Sequence, residues 1–276
     1  MIKSIDSPFQ APAAPGVMCV IVDTSFDPQL PLLIEHNTDY GVQRAIALFS
    51  DTPFAALQAV GPVAVLCTTA DGLTDQLSTL LAETDAGCVA YLENADAFDE
   101  AVMHWRSLLT VSTDASPTQL MRFFDPRWLE PLLNSLDEHE RWRFLGPVND
   151  LIWRNELGWR RHTNPLAPTS EIQEPGWLHF GTQRLNLMRQ HNIKILAAYF
   201  AQYYHSVLPM PQAETFVHEQ LLAAYQVGYR QEAHLERWLR LELRQGDSFW
   251  SRAPFSQVLK RTDLSLDQKL VRLESF

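Results

Sequence analysis

Hydrophobic positions along this chain arrive in two rhythms. In the first half they form short unbroken runs at 17–22, 63–67 and 87–92, each bounded by Gly, Pro or Asp. Runs of that length, rich in valine, predict buried strands. Between them the spacing turns helical. Leu77, Leu80 and Leu81 share one face of 75–81, and Phe98, Val102, Trp105, Leu108 and Leu109 share a stripe of 98–109. The segment 43–48 reads as one more short element, and 1–15, rich in Pro and Ala, as a loose lead-in. After residue 150, Leu151-Ile152-Trp153 and Leu157-Gly158-Trp159 predict a hairpin-like pair or a strand with a turn.

The stretch 119–148 organises the rest. Leu120, Met121, Phe123 and Phe124 predict a short strand, which Asp125-Pro126 must end, because proline donates no N–H and biases the residue before it away from the helical region. Asp125 is placed to cap the following helix, with Pro126 at its first position, where a missing N–H costs nothing. Trp128, Leu129, Leu132, Leu133 and Leu136 recur at helical spacing and predict its buried face. A second helix at 138–145 runs into Gly146-Pro147, a stop signal, and Gly61-Pro62 likewise ends a short helix and launches the strand at 63–67. Arg122 and Arg127 flank Asp125 and are placed to pair with it.

The second rhythm begins after 164–176, a segment with three prolines and no periodicity that predicts a linker. Helical periodicity then continues through 182–205, 214–227, 231–244 and 265–273, with Pro209 and Pro211 between the first two and capping-box spacing at Ser265 and Gln268. The expected fold is an α/β N-terminal lobe at 1–163, a mixed sheet with flanking helices, followed by an all-helical C-terminal lobe at 177–276.

Charge sharpens this division. Residues 1–150 carry 7 Lys+Arg against 21 Asp+Glu, a net of −14, whereas 151–276 carry 15 against 12, a net of +3. The total of −11 argues against a nucleic-acid partner, which needs a basic face. No apolar run is long enough to span a bilayer, and the first residues lack the apolar core of a secretory signal, so a cytoplasmic location without membrane attachment is expected. Cys19, Cys67 and Cys88 each lie in or beside an apolar run and read as reduced core thiols.

Candidate chemistry is sparse. The chain has no glycine-rich phosphate loop, no HExxH, no Cys/His cluster at zinc spacing and no GxSxG elbow, so no cofactor or metal is expected. A hydrolase-like enzyme would have to use Asp23, at the end of the first apolar run, or Asp125 in a cleft; the simpler reading makes both turn-capping residues. His104 reads as a rim residue of its helix, and the Glu214/His218 pair as a solvated helix pair. What the sequence does supply is material for contact. Aromatic and arginine residues, favoured at interface hot spots, gather in the helical lobe, and Tyr199, Tyr203, Tyr204, Tyr229, Arg237, Trp238 and Arg240 are the expected protein-binding residues.

The run MRFFDPRWLEPLLNSLD resembles the RF-Y/F-DPR-x-L signature of a family first catalogued as a domain of unknown function, number 4123, now understood as adaptor chaperones for type VI secretion effectors. Three other segments are similar to the same pattern in the same order: the strand ending at Asp23, the segment 48–66 with its turn, short helix and Gly61-Pro62, and the strand 87–92. The family commonly has Gly where Ser50 or Asp51 stands. Across roughly 17–150, the resemblance implies a cytoplasmic, non-enzymatic adaptor that binds a toxic effector and helps load it onto the VgrG spike protein. A structural part of a larger assembly is a third reading.

Overall fold

Three continuous apolar strands lie side by side because each is buried on both faces. The computed structural model describes residues 2–9, 15–39, 44–67, 72–166, 168–169, 173–208, 211–246 and 248–276. Parts of the expected lead-in (1 and 10–14) and linker (167 and 170–172), with Gln43 and Pro209, lie outside the described residues. The chain divides into two compact units, Met1–Arg189 and Gln190–Phe276.

The strands of the first unit are β1 (Ile2–Ser4), β2 (Val17–Asp23), β3 (Arg44–Ala47), β4 (Pro62–Cys67), β5 (Gly87–Leu92), β6 (Thr110–Thr113), β7 (Gln119–Leu120), β8 (Asp150–Asn155), β9 (Gly158–Thr163) and β10 (His179–Phe180). Seven form one sheet in the order β1-β9-β8-β5-β2-β4-β3, with every neighbouring pair antiparallel. The mixed pairing expected for the main sheet is therefore confined to a second, three-stranded sheet, β10-β6-β7, in which β6 pairs parallel with β10 and antiparallel with β7. Both faces of the large sheet are covered. On one, Cys19, Ile21, Leu66, Cys88 and Trp153 pack with residues of α3 (Phe98–Leu108), α4 (Pro126–Ser135) and α5 (Glu138–Leu145). On the other, Val20, Val22, Val65 and Val89 pack with α1 (Leu30–Asp39) and α2 (Gly72–Glu83). Unbroken apolar strands are the usual mark of parallel sheets sandwiched by helices; here an antiparallel sheet is sandwiched in the same way. All three cysteines are buried, and burial pushes the thiols of Cys19 and Cys88 up.

Helix ends follow local chemistry. Asp125 caps α4 through the Arg127 amide, with Pro126 in the first turn, and Asp137 forms a capping box with Glu140 at the start of α5. Gly146 ends α5 with φ +54°. A Cβ there would lie 2.6 Å from the His104 ring. That ring is buried and its Nε2 donates to the Phe144 carbonyl at 2.9 Å, so His104 is an internal strut between α3 and α5 rather than a rim residue. Burial lowers its pKa to about 4. Pro147 is buried beside it.

Of the run 120–124, only Leu120 is strand and only Phe123 and Phe124 are core. Only Gln119–Leu120 pair in β7; the Asp125 amide then donates to the Arg122 carbonyl in a turn that buries Phe123 and Phe124. The segment 164–176 also departs from a simple linker. Asn164 donates to the Val148 carbonyl, the Thr169 amide to that of Gly146, and Gln173 accepts from Arg143, whose guanidinium lies over Trp177. The division of the chain comes later, inside α6 (Thr182–Tyr203), because β10 and the first turns of that helix bury Phe180 and Met188 in the first unit.

The second unit is helical, with α7 (Ala213–Val227), α8 (Glu232–Gln245), α9 (Phe255–Leu259) and α10 (Leu266–Glu274) after the end of α6. Ser265 and Gln268 form the capping box that their spacing predicts. Among the described residues, no helix is long and apolar enough to cross a membrane.

Candidate protein-docking site

Four separate segments meet at one aspartate. Asp23 closes β2, and its Oδ2 lies 2.8 Å from the Arg122 guanidinium. Its amide donates to the Ala86 carbonyl just before β5, and its Cα pairs in register with Pro62 at the start of β4. The next residue, Thr24, donates from its hydroxyl to the Gly61 carbonyl at 3.0 Å. Gly61 must lack a side chain, since a Cβ would lie 2.4 Å from the Phe49 ring. Arg122 therefore does not pair with Asp125; it reaches across to Asp23 and lies over the Phe124 ring, 5.4 Å from its centre.

Asp125 is held by Arg127 instead, in a two-pronged pair with Nε–Oδ1 of 2.9 Å and Nη2–Oδ2 of 2.6 Å. These bonds stabilise the charged guanidinium and raise the Arg127 pKa. Arg127 also comes within 3.7 Å of Asp85, a carboxyl raised by burial while Arg127 opposes the shift. Both aspartates are thus committed to arginine partners that tie the corner together.

Next to the corner opens a groove of about 360 Å³. Val111, Leu120, Met121, Phe123, Leu132, Phe180, Leu185 and Met188 supply its apolar lining, with Arg122 and Asp125 at one side. Trp128, expected on the buried face of α4, stands at the rim 38% exposed, and Leu120 is 41% exposed. Exposed large apolar side chains around a concave apolar surface are characteristic of binding surfaces. The groove is bordered by β7, an edge strand of the small sheet, which offers unpaired backbone groups.

On the opposite strand face the alternation of side chains places Ser112 and His179, residues that sequence reasoning passed over. Ser112 Oγ is 3.2 Å from His179 Nδ1, and His179 Nε2 is 3.1 Å from Asp114. The series has the composition of a hydrolytic triad, but His179 and Asp114 are each more than half exposed, and the second Asp114 oxygen accepts from the amide and hydroxyl of Thr182. Those bonds hold the Asp114 carboxyl below the usual range. The cluster fastens the first turn of α6 to β6.

Residues 19–143 match the family model described as a domain of unknown function, DUF4123. The match covers 125 of 276 residues and contains Asp23, Gly61, Pro62, Arg122, Asp125, Pro126 and Arg127. The comparison with curated proteins gives no match, and neither does that with solved structures.

The aromatic and arginine residues expected to bind a partner through the helical unit have mostly other duties. Tyr229 and Trp238 are fully buried, and the Trp238 ring makes tilted contacts with those of Tyr229, Phe249 and Trp250. They are core, because Leu235, Trp238 and Leu239 fall on the same inward face of α8. Arg237 makes a two-pronged pair with Glu274 of α10, and Arg240 binds Glu236 and the Tyr204 hydroxyl. Tyr199 is partly buried against the core. Tyr203 is 61% exposed and keeps a surface position.

Proposed function

We propose that this protein is a cytoplasmic, non-enzymatic adaptor that binds a type VI secretion effector and helps load it onto the VgrG spike. The observation that carries the reading is the meeting of four signature segments at Asp23. The strand end, Gly61-Pro62, the start of β5 and the Arg122–Asp125 turn are bonded to one another, and they frame an apolar groove instead of a cleft of free titratable groups. Recognition by contact needs a rigid frame around apolar surface, and that is the chemistry this corner supplies. The rival reading, hydrolysis through Asp23 or Asp125, needs a carboxylate free to move a proton. Asp23 is ion-paired to Arg122, and Asp125 is bound at both oxygens by Arg127.

The test is secretion. In a strain lacking this chain, a type VI secretion effector stays inside the cell, and supplying the chain in trans restores its export. Undiminished export without the chain would overturn the proposal.

A further inference from the structure

The first unit carries a second pocket, of about 560 Å³, that shares no lining residue with the groove. One side of it is built by the start of the chain. The Ile5 amide donates to the Trp159 carbonyl at 3.0 Å, and the Tyr91 hydroxyl donates to that of Pro8 at 3.4 Å. These bonds set Phe9 against Trp159, with ring centres 6.1 Å apart and planes inclined at 64°, so two aromatic walls meet at an angle. The rest of the lining comes mainly from α2. Asp75, Thr79 and Glu83 recur there every four residues and share one face, with Ser78 beside them.

The charge of this lining has one sign. Asp75 and Glu83 are its charged residues, both exposed, and neither is in an ion pair among the described residues. Glu83 ends α2, whose last turn holds no basic residue, so its charge adds to the negative end of the helix dipole. The helix itself gains nothing from a carboxylate at that end. Arg154, opposite Trp159 in register, is outside the lining, and its charge acts on Asp85. A cation with a flat or apolar body answers both features of the pocket, its charge facing the carboxylates and its body the aromatic rings. An anion meets only repulsion there.

Resting on the adaptor reading and deepening it, we infer that the pocket between Phe9, Trp159 and the Asp75/Glu83 face of α2 receives an arginine side chain of the partner protein. The planar guanidinium stacks on an aromatic ring and pairs with a carboxylate at once, which the more strongly hydrated ammonium of lysine does less well.

The probe is N-acetyl-arginine amide, titrated into the full chain and followed by NMR, with the citrulline analogue as a neutral control of the same shape. The Trp159 indole signal is assigned by its loss in Trp159→Phe. The arginine probe shifts that signal and the amide signals of 75–83 saturably, more weakly at high salt, and the citrulline analogue does not. An Asp75→Asn/Glu83→Gln variant loses about tenfold in affinity. Both positions are exposed, and Glu83→Gln alone melts no lower than wild type, because it removes charge from the wrong end of a helix. Equal shifts with citrulline, equal affinity in the double variant, shifts confined to other parts of the chain, or a lower melting point for Glu83→Gln each overturn the inference. The titration needs no effector, so its failure removes the pocket and leaves the adaptor standing. Export that never needed the chain removes the adaptor and leaves the pocket a site for the arginine probe.

Discussion

Replacing Arg122 with Ala tests whether the signature corner is held from Asp23. The carboxylate of Asp23 is buried, with a side-chain exposure of 3%, and its remaining side-chain bond is from the Ser25 amide. Removing one partner of a fully buried pair costs roughly 3–5 kcal/mol, because an unpaired charge stays behind. Arg122 is 41% exposed, so water screens the pair and can replace part of the lost bond. About 1–2 kcal/mol remains, and losing the guanidinium from the Phe124 face adds about 0.5 kcal/mol. For a unit of this size, about 2 kcal/mol lowers Tm by roughly 4–8 °C. The assay is urea and thermal unfolding of wild type, Arg122→Ala, Asp23→Asn and the double variant. The cycle is expected to give a coupling of about 1–2 kcal/mol, since each single change removes the same bond. Additive effects, or an Arg122→Ala loss below about 0.5 kcal/mol, would refute the view that Arg122 and Asp23 hold the corner together.

Other consequences are equally checkable. His104 has a pKa of about 4 in the folded chain against 6.5 when free, so below 6.5 the unfolded chain takes up a proton that the fold refuses. Stability therefore falls as pH drops from 6.5 to about 4, and His104→Gln should remove about 3 kcal/mol of that fall in denaturant titrations at several pH values. Gly146→Ala combines a positive φ with a clash against the His104 ring and is expected to destabilise by about 2 kcal/mol or more, measured by urea midpoint. Trp238→Ala empties the core of the helical unit and costs about 3–5 kcal/mol, whereas Tyr203→Ala changes stability by less than about 0.5 kcal/mol in the same melts.

What local chemistry decides was legible in the sequence. The strand Gly87–Leu92, the helix Glu138–Leu145 and the Ser265/Gln268 capping box all fall where their spacing places them, because turn residues and caps act within a few positions. Strand direction was not legible: valine-rich runs record burial on two faces, and helices cover both faces of this antiparallel sheet. Nor was the partner of Arg122, since Asp125 is the nearer carboxylate in sequence and Asp23 arrives only when β2 and the 122–125 turn meet. Trp238 shows a different failure. Its spacing with Leu235 and Leu239 marked an inward face, but the hot-spot composition of α8 drew attention to its surface. The groove was beyond reach of periodicity, because β10 is two residues long and joins β6 from far along the chain.

The most direct test of an adaptor is association in purified form. The chain, a candidate type VI secretion effector and a VgrG spike protein are mixed and passed through size-exclusion chromatography with light scattering. The account predicts that the chain co-elutes with the effector and that the spike joins this complex. A chain that elutes alone from every mixture would contradict it.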